Sequence, residues 1–310
     1  MKKLVLIDGN AIIHRAFHAL PPLSTHDNQP INAVYGFFMM LLKIAEDLNP
    51  EYLIVCFDKK APTFRKQLYV GYQATRPKPS DDLIPQFDMV HKALDKAQIK
   101  HFEVDGYEAD DLIGTISKQA KNKDLQTIIV SGDRDLLQLV NNRVLMMAPI
   151  TGMTKMTLFD EVKVREKYGL EPWQIVDYKA FVGDASDNYP GVTGIGPKTA
   201  ATLLAKYQTL EGVYEHLAEL SPQLQEKLAN DAEQAALAKK LATIVIDAPV
   251  KLEETEAELS KIDKKELKKV FEKFGFKSLL GRLEKNAKAE IIIQKETQKK
   301  KQNDEQLGLL

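Results

Sequence analysis

The sequence predicts an α/β fold: a mostly parallel central sheet with flanking helices. Three observations predict it. Short apolar runs ending in aspartate occur at Leu4-Val5-Leu6-Ile7-Asp8, Leu53-Ile54-Val55-Cys56-Phe57-Asp58 and Thr127-Ile128-Ile129-Val130-Ser131-Gly132-Asp133. Their near-continuous apolarity is that of strands buried on both faces, as parallel strands are. Helical patterns alternate with them, the mark of βαβ units.

In chain order, strands are expected at 3–8, 52–58, 99–104, 126–131 and 143–148, with helices between them at 32–48, 82–97, 108–122 and 134–140. Residues 59–80 break this alternation. They are basic and aromatic, include Pro77 and Pro79, and start directly after Asp58. Such an insertion beside a site reads as a mobile element that handles substrate; the plainer alternative is a surface connection. Beyond 155 the strand signal fades. Helices are expected at 159–168, 172–182, 197–207, 209–219, 222–229, 232–245 and 264–274. The chain is therefore divided into an α/β core at 1–155, a helical region at 156–285 and a polar tail at 286–310. The tail is too polar to bury a core and is expected to be disordered.

The bulk numbers set bounds. One cysteine, Cys56, rules out an internal disulfide and falls in an expected strand, where it serves as a small core hydrophobe. The apolar stretch after Met1-Lys2-Lys3 stops at Asp8, too short for the core of a signal peptide. No run approaches the roughly 18 apolar residues of a membrane span. A soluble, cytoplasmic protein is expected. Net charge is −1, but with nine acids set aside for a metal site, 43 basic residues outnumber the remaining 35 acidic ones by eight. That balance is compatible with a nucleic-acid partner.

The acids carry the chemistry. In open α/β sheets ligands bind beyond the carboxyl ends of the strands, so Asp8, Asp58 and Asp133 would point into one crevice. Glu108, Asp110 and Asp111 open a helix, with Glu108 and Asp111 on one face and Asp110 offset. Asp133 and Asp135 flank a strand-to-helix turn, and Asp184 and Asp187 lie three apart in Gly183-Asp184-Ala185-Ser186-Asp187-Asn188. Any one pair has a simpler reading as helix capping or dipole complement. The whole set does not. Hard oxygen ligands at this density suit Mg²⁺ or Mn²⁺ rather than zinc, and none of the six histidines has zinc-like spacing. Two or more ions are expected, and paired ions are the usual device for in-line phosphodiester displacement.

Pro190-Gly191-Val192-Thr193-Gly194-Ile195-Gly196-Pro197-Lys198 follows the last acid pair. Its glycines allow a tight turn, and the amides opening the next helix, with Lys198, form an anion site. The form G-V-x-G-I-G looks like a helix-hairpin-helix, spanning 188–207, that grips a nucleic-acid backbone. A glycine turn that merely lets two helices pack is the alternative.

These stretches, in this order and over 1–285, resemble the 5′-nuclease of bacterial DNA polymerase I and its stand-alone relatives, the flap endonuclease superfamily. The matching residues include Leu6-Ile7-Asp8-Gly9-Asn10, Phe64-Arg65, Gly106-Tyr107-Glu108-Ala109-Asp110-Asp111 and Ser131-Gly132-Asp133-Arg134-Asp135. The resemblance implies a PIN-like nuclease fold with a helical arch at 59–80. It also implies 5′→3′ exonuclease and 5′-flap endonuclease activity with Mg²⁺ or Mn²⁺, in replication and repair. By position, Asp8, Asp58, Glu108, Asp110 and Asp111 would surround a first metal, and Asp133, Asp135, Asp184 and Asp187 a second. Arg65, Asp110 and Asp133 would be catalytic, with Arg65 on the scissile phosphate. Arg15, Arg76, Lys78, Gly191, Gly194, Gly196 and Lys198 would contact DNA. Tyr72 would stack on an unpaired base, arch packing being the alternative. Relatives often carry a lysine where Gln73 stands, so Arg76 or Lys78 would supply that cation. The resemblance further implies K⁺ at the hairpin, branched or 5′-ended duplex DNA as partner, a monomer, and association with the nucleoid. Gln306-Leu307-Gly308-Leu309-Leu310 is similar to the peptide by which bacterial replication proteins dock on the sliding clamp, through Gln306, Leu307, Leu309 and Leu310.

Three rivals remain. One is a non-catalytic flap-binding module, which the full acid set disfavours. A PIN-like ribonuclease would lack the hairpin. An Asp-nucleophile phosphatase would want a second aspartate where Asp8-Gly9-Asn10 has Asn10.

Overall fold

A computed structural model describes residues 1–153 and 155–285. The first half reads β1 (Lys3–Asp8), α1 (Gly9–Ala19), α2 (Asn32–Leu48), β2 (Tyr52–Cys56), α3 (Phe64–Leu68), α4 (Ile84–Lys96), β3 (His101–Phe102), α5 (Ala109–Asn122) and β4 (Gln126–Val130). A 3₁₀ turn (Asp135–Leu139), β5 (Val144–Thr151), β6 (Lys155–Phe159) and α6 (Glu161–Tyr168) follow. The helical part comprises α7 (Ile175–Val182), α8 (Pro197–Tyr207), α9 (Leu210–Glu215), α10 (Pro222–Asn230), α11 (Ala232–Ala242), α12 (Glu254–Ala257) and α13 (Lys264–Lys273).

The six strands run in the order β3-β2-β1-β4-β5-β6. All neighbours are parallel except β5 and β6. The chain builds outward from β1 to β2 and β3, then crosses to the other side of β1 with β4. The order therefore reverses between β1 and β4, and the crevice beyond their carboxyl ends is where such sheets bind ligands. Asp8 ends β1 at that point.

Strand periodicity divides the core. Val5, Ile7, Val55 and Val130 face a layer containing Phe37, Phe38, Phe57 and Phe271, from the side of α1, α2, α4 and α13. Leu4, Leu6, Ile54, Cys56 and Ile129 face Leu112, Ile113 and Ile116 of α5. Residues Phe181, Leu204, Val213, Leu228 and Ala235 form a separate core among α7 to α11. After α11 the chain returns to the sheet: Ile244, Ala248 and Leu252 pack on the α5 side, and Leu267, Val270 and Phe271 on the opposite side. The stretch expected as one helical region, 156–285, thus contains a satellite core and a belt that covers the sheet.

Three expectations change. A sixth strand, β6, runs antiparallel to β5 with Met146 opposite Phe159; its alternation lasts only five residues at a sheet edge. The third strand shrinks to His101–Phe102. The arch at 59–80 holds one five-residue helix, α3, and is otherwise hydrogen-bonded turn. Among the described residues, no helix is long and apolar enough to cross a membrane. The tail and its clamp-like peptide, Gln306, Leu307, Leu309 and Leu310, lie outside the described residues.

Candidate functional site

The acids gather in two groups at the carboxyl ends of the strands. Asp8 caps α1: Oδ1 accepts from the Ala11 amide at 3.0 Å, and Oδ2 from Ser131 Oγ at 2.6 Å. Asp58 accepts the Ala109 amide at 2.7 Å, and its own amide donates to Asn10 Oδ1 at 3.1 Å. Glu108 accepts from Thr63 Oγ1 at 2.9 Å and from the Tyr72 hydroxyl at 3.1 Å. Asp133 accepts the Asp135 amide at 2.9 Å. Asp110 lines the same cavity, of about 590 Å³, and its carboxylate has no hydrogen-bond partner among the described residues. Burial raises Asp8 to about 7, with the Asp58 charge adding to it. Burial raises Glu108 to about 6 in spite of Arg65. Asp110 is held well above the carboxylate range by burial, then by Asp133 and Asp8. A crevice that retains protons at these acids is short of positive charge.

The second group is Asp135, Asp184 and Asp187, whose carboxylate oxygens come within 4.8 Å of one another. Lys179 on α7 places its ammonium against both Asp135 and Asp184. Arg76 from the arch pairs with Asp187, whose other oxygen accepts the Tyr72 hydroxyl at 3.2 Å. Burial raises Asp135 to about 7 even with Lys179 beside it. Burial also pushes Asp184 upward, but Lys179 and Ser186 outweigh it and leave that carboxyl below its ordinary value. A second cavity, of about 740 Å³, opens on this group and shares Arg76, Pro77, Asp133 and Asp135 with the first.

Eight of the nine expected carboxylates line one or both cavities; Asp111 lines neither. It is fully buried. Its oxygens accept from Arg65 Nη1 at 2.8 Å and Nη2 at 2.9 Å, and from the amides of Glu108 and Val245. Expected as a metal ligand, Asp111 is set apart from the other eight: both oxygens serve a buried ion pair and the cap of α5. Arg65, expected on the scissile phosphate, shares that ion pair. Only 3% exposed, it borders the first cavity but also donates to the carbonyls of Leu241 and Thr243 at 2.8 and 2.9 Å. With its donors engaged, it ties α3 to α5 and to the end of α11 rather than offering a hydrogen bond to a phosphate. Tyr72 takes the packing alternative. It is 3% exposed and stacks on Tyr189 at 6.4 Å between centroids, leaving no ring face for a base.

The remaining expected residues scatter. Arg76 is 46% exposed in its side chain and borders both cavities; Lys78 borders the first. Gln73 is held by its amide on the Asp187 carbonyl at 2.8 Å, with a left-handed φ of 56°. Arg15 lines neither cavity and donates to the Gly152 carbonyl at 2.7 Å. The hairpin is a separate surface. Gly191 has a packing role, because a Cβ there would fall 2.2 Å from the Phe181 carbonyl oxygen. Gly194 has φ +75°, and its carbonyl accepts the Lys227 ammonium at 3.0 Å. Gly196 precedes α8 with open space around it, and Lys198 is exposed in the first turn.

Lys179 escaped the sequence reading. Its signal was a lone cation in the short helix Ile175–Val182, five residues before Asp184. Thr63 and Ser131, which orient Glu108 and Asp8, gave no signal beyond their polarity. The donor set fits hard divalent cations: all-oxygen ligands, a partnerless carboxylate at Asp110, and three carboxylates with oxygens within 4.8 Å of one another.

In the comparisons with known proteins, two family models match consecutive parts of the chain. Residues 3–169 match the 5'-3' exonuclease, N-terminal resolvase-like domain, and residues 170–265 the 5'-3' exonuclease, C-terminal SAM fold. The chain is 37% identical over 285 residues to the 5'-3' exonuclease of Aquifex aeolicus, covering 92% of this chain and 96% of that one. It is 41% identical over 291 residues to DNA polymerase I of Bacillus subtilis, covering 93% of this chain and 33% of the polymerase. It therefore spans about a third of the DNA polymerase I relatives it matches. The fold is shared with the T5 D15 protein co-crystallised with metal ions, at a TM-score of 0.66 and 20% identity, covering 88% of this chain and 99% of that one. It is also shared with flap endonuclease-1 from Methanococcus jannaschii, at a TM-score of 0.59 and 19% identity, covering 92% and 91%.

Proposed function

The chain belongs to the 5'-3' exonuclease family, and on that premise we propose that it hydrolyses phosphodiesters at 5′ ends and 5′ flaps of duplex DNA, RNA-primed ends included, in replication and repair. One observation carries the reading: eight carboxylates line two adjoining cavities beneath the arch. Asp8, Asp58, Glu108 and Asp110 would hold one Mg²⁺ or Mn²⁺, and Asp133, Asp135, Asp184 and Asp187 a second. Such ions, when bound, lower the proton affinity of water and offset the charge that builds on a phosphate.

The protein's own groups do the rest. The Asp8 and Asp58 carboxylates are fixed by amide and hydroxyl donors, so their positions survive the arrival of substrate. Arg76 borders both cavities with a half-exposed side chain, and a phosphate can replace Asp187 as its partner. Lys198 and the amides opening α8 meet the duplex backbone away from the reaction. A DNA substrate implies a nucleoid-associated, cytoplasmic protein.

The test is a labelled 5′-flap duplex with Mg²⁺. Asp133→Ala combined with Asp135→Ala abolishes cutting while flap binding stays within a few-fold. Equal cutting by the double variant sinks the site assignment. Binding without any cutting by the wild type turns the reading toward a flap-recognition module.

A further inference from the structure

We propose that Lys179 is a built-in competitor for the second divalent ion: its ammonium occupies the Asp135–Asp184 oxygens and has to withdraw before that ion is bound. The proposal rests on the metal-dependent reading above and adds a residue that controls when the second ion enters.

Asp135, Asp184 and Asp187 bring three negative charges into a cluster whose oxygens lie within 4.8 Å. Two protein cations already answer two of those charges, Lys179 on Asp135 and Asp184, and Arg76 on Asp187. The Lys179, Asp135 and Asp184 side chains are 15%, 11% and 13% exposed, so solvent screens the arrangement poorly. A divalent ion needs the lone pairs that the ammonium now uses. Ammonium and ion are therefore alternatives at those oxygens.

Lysine suits an exchange of this kind. Its charge is a compact point on a flexible four-carbon stem, whereas a guanidinium holds carboxylates in a fixed fork. Lys179 also lines the cavity of about 740 Å³ beside the cluster, which leaves the ammonium room to swing. The first group is built differently. Among the described residues no lysine pairs with Asp8, Asp58, Glu108 or Asp110, and the one ion pair there, Arg65 on Glu108 at 3.4 Å, comes from a guanidinium already fixed by Asp111 and by the carbonyls of Leu241 and Thr243. One ion site is open and the other is guarded.

The experiment is Mn²⁺ binding to the full chain without DNA, read from the free-ion electron paramagnetic resonance signal. The wild type binds one ion tightly and a second weakly. Lys179→Met tightens the weaker site at least tenfold and leaves the tighter one unchanged, which also reports that the variant is folded. Its melting temperature rises more on adding Mn²⁺ than that of the wild type. Lys179→Arg, which keeps the charge, binds the second ion no tighter than the wild type. A Lys179→Met weaker site that is unchanged or lost, beside an intact first site, overturns the assignment, as does a Lys179→Arg site tightened tenfold. No Mn²⁺ bound by wild type or variants overturns both this proposal and the metal-dependent reading beneath it.

Discussion

The two acid groups solve one electrostatic problem in different ways. The first stands on the sheet: Asp8 and Asp58 follow β1 and β2, and Glu108 and Asp110 open α5. Its acids are held by amides and hydroxyls, with Arg65 beside Glu108, and burial raises Asp8 to about 7 and Glu108 to about 6. The second is assembled from the turn after β4 and the loop after α7, and sets Lys179 and Arg76 against its charges, although burial still raises Asp135 to about 7. Protons leave without moving a side chain, whereas displacing a lysine requires a rearrangement. A crevice built on rigid strands can wait for its ion; one built across two packing units needs a cation of its own to hold it together.

Asp110→Asn is the severest way to break the comparison. It removes a partnerless carboxylate from the first group, and flap cutting is expected to fall on the order of 10³-fold, given the several kcal/mol an ion contributes at a phosphate. The metal-free variant should meanwhile melt higher than wild type, because a buried repulsion is gone. A variant that keeps its rate removes Asp110 from the site.

Arg65→Met comes next. It strands Asp111 in the core, and unfolding in urea should show a loss of about 3–5 kcal/mol. A residue that served only to clamp a phosphate would lower the rate and leave the urea midpoint where it was.

The pH response reads the buried acids of both groups. Asp8 and Glu108 have folded values above their ordinary 3.8 and 4.5. The folded chain therefore holds protons that the unfolded chain releases. Their contribution to stability is full below about pH 4 and is lost as pH rises through about 7, a change of a few kcal/mol. In chelator, melting temperature should fall between pH 5 and 8, and the rise on adding Mg²⁺ should grow over the same window. A flat profile in chelator contradicts the proton account. Tyr72→Phe, the mildest change, removes one hydroxyl shared by Glu108 and Asp187 and should lower stability by about 1 kcal/mol without a large change in cutting. A hundredfold loss of cutting would return Tyr72 to the substrate.

How much of this the sequence disclosed depended on the range of the contacts. The aspartate-tipped strands were legible because strand burial and its boundary are local patterns, and β1, β2 and β4 appear within two residues of expectation. Helical spacing correctly put Glu108 and Asp111 on one face, and they share a capping box there. Which face looked into the crevice was not legible, because it is decided by Arg65 and by Val245, 134 residues further on. The same holds for Tyr72, whose fate is set by Asp187 and Tyr189. Lys179 was hidden for another reason: a single lysine on a helix is ordinarily a surface residue, and only the fold brings it to Asp135.

The position of β1 has a consequence for how the chain is made. Leu4 meets its partner Tyr52 early, but Lys3 pairs with Gln126, 123 residues later. At about 5–20 residues per second, a ribosome needs roughly 6–25 s to deliver that second partner. Throughout that interval the nascent chain carries Leu4-Val5-Leu6-Ile7 with one edge unpaired, an adhesive template for any other extended chain nearby. The strand that seats Asp8 at the heart of the crevice is thus also the segment most in need of protection during synthesis.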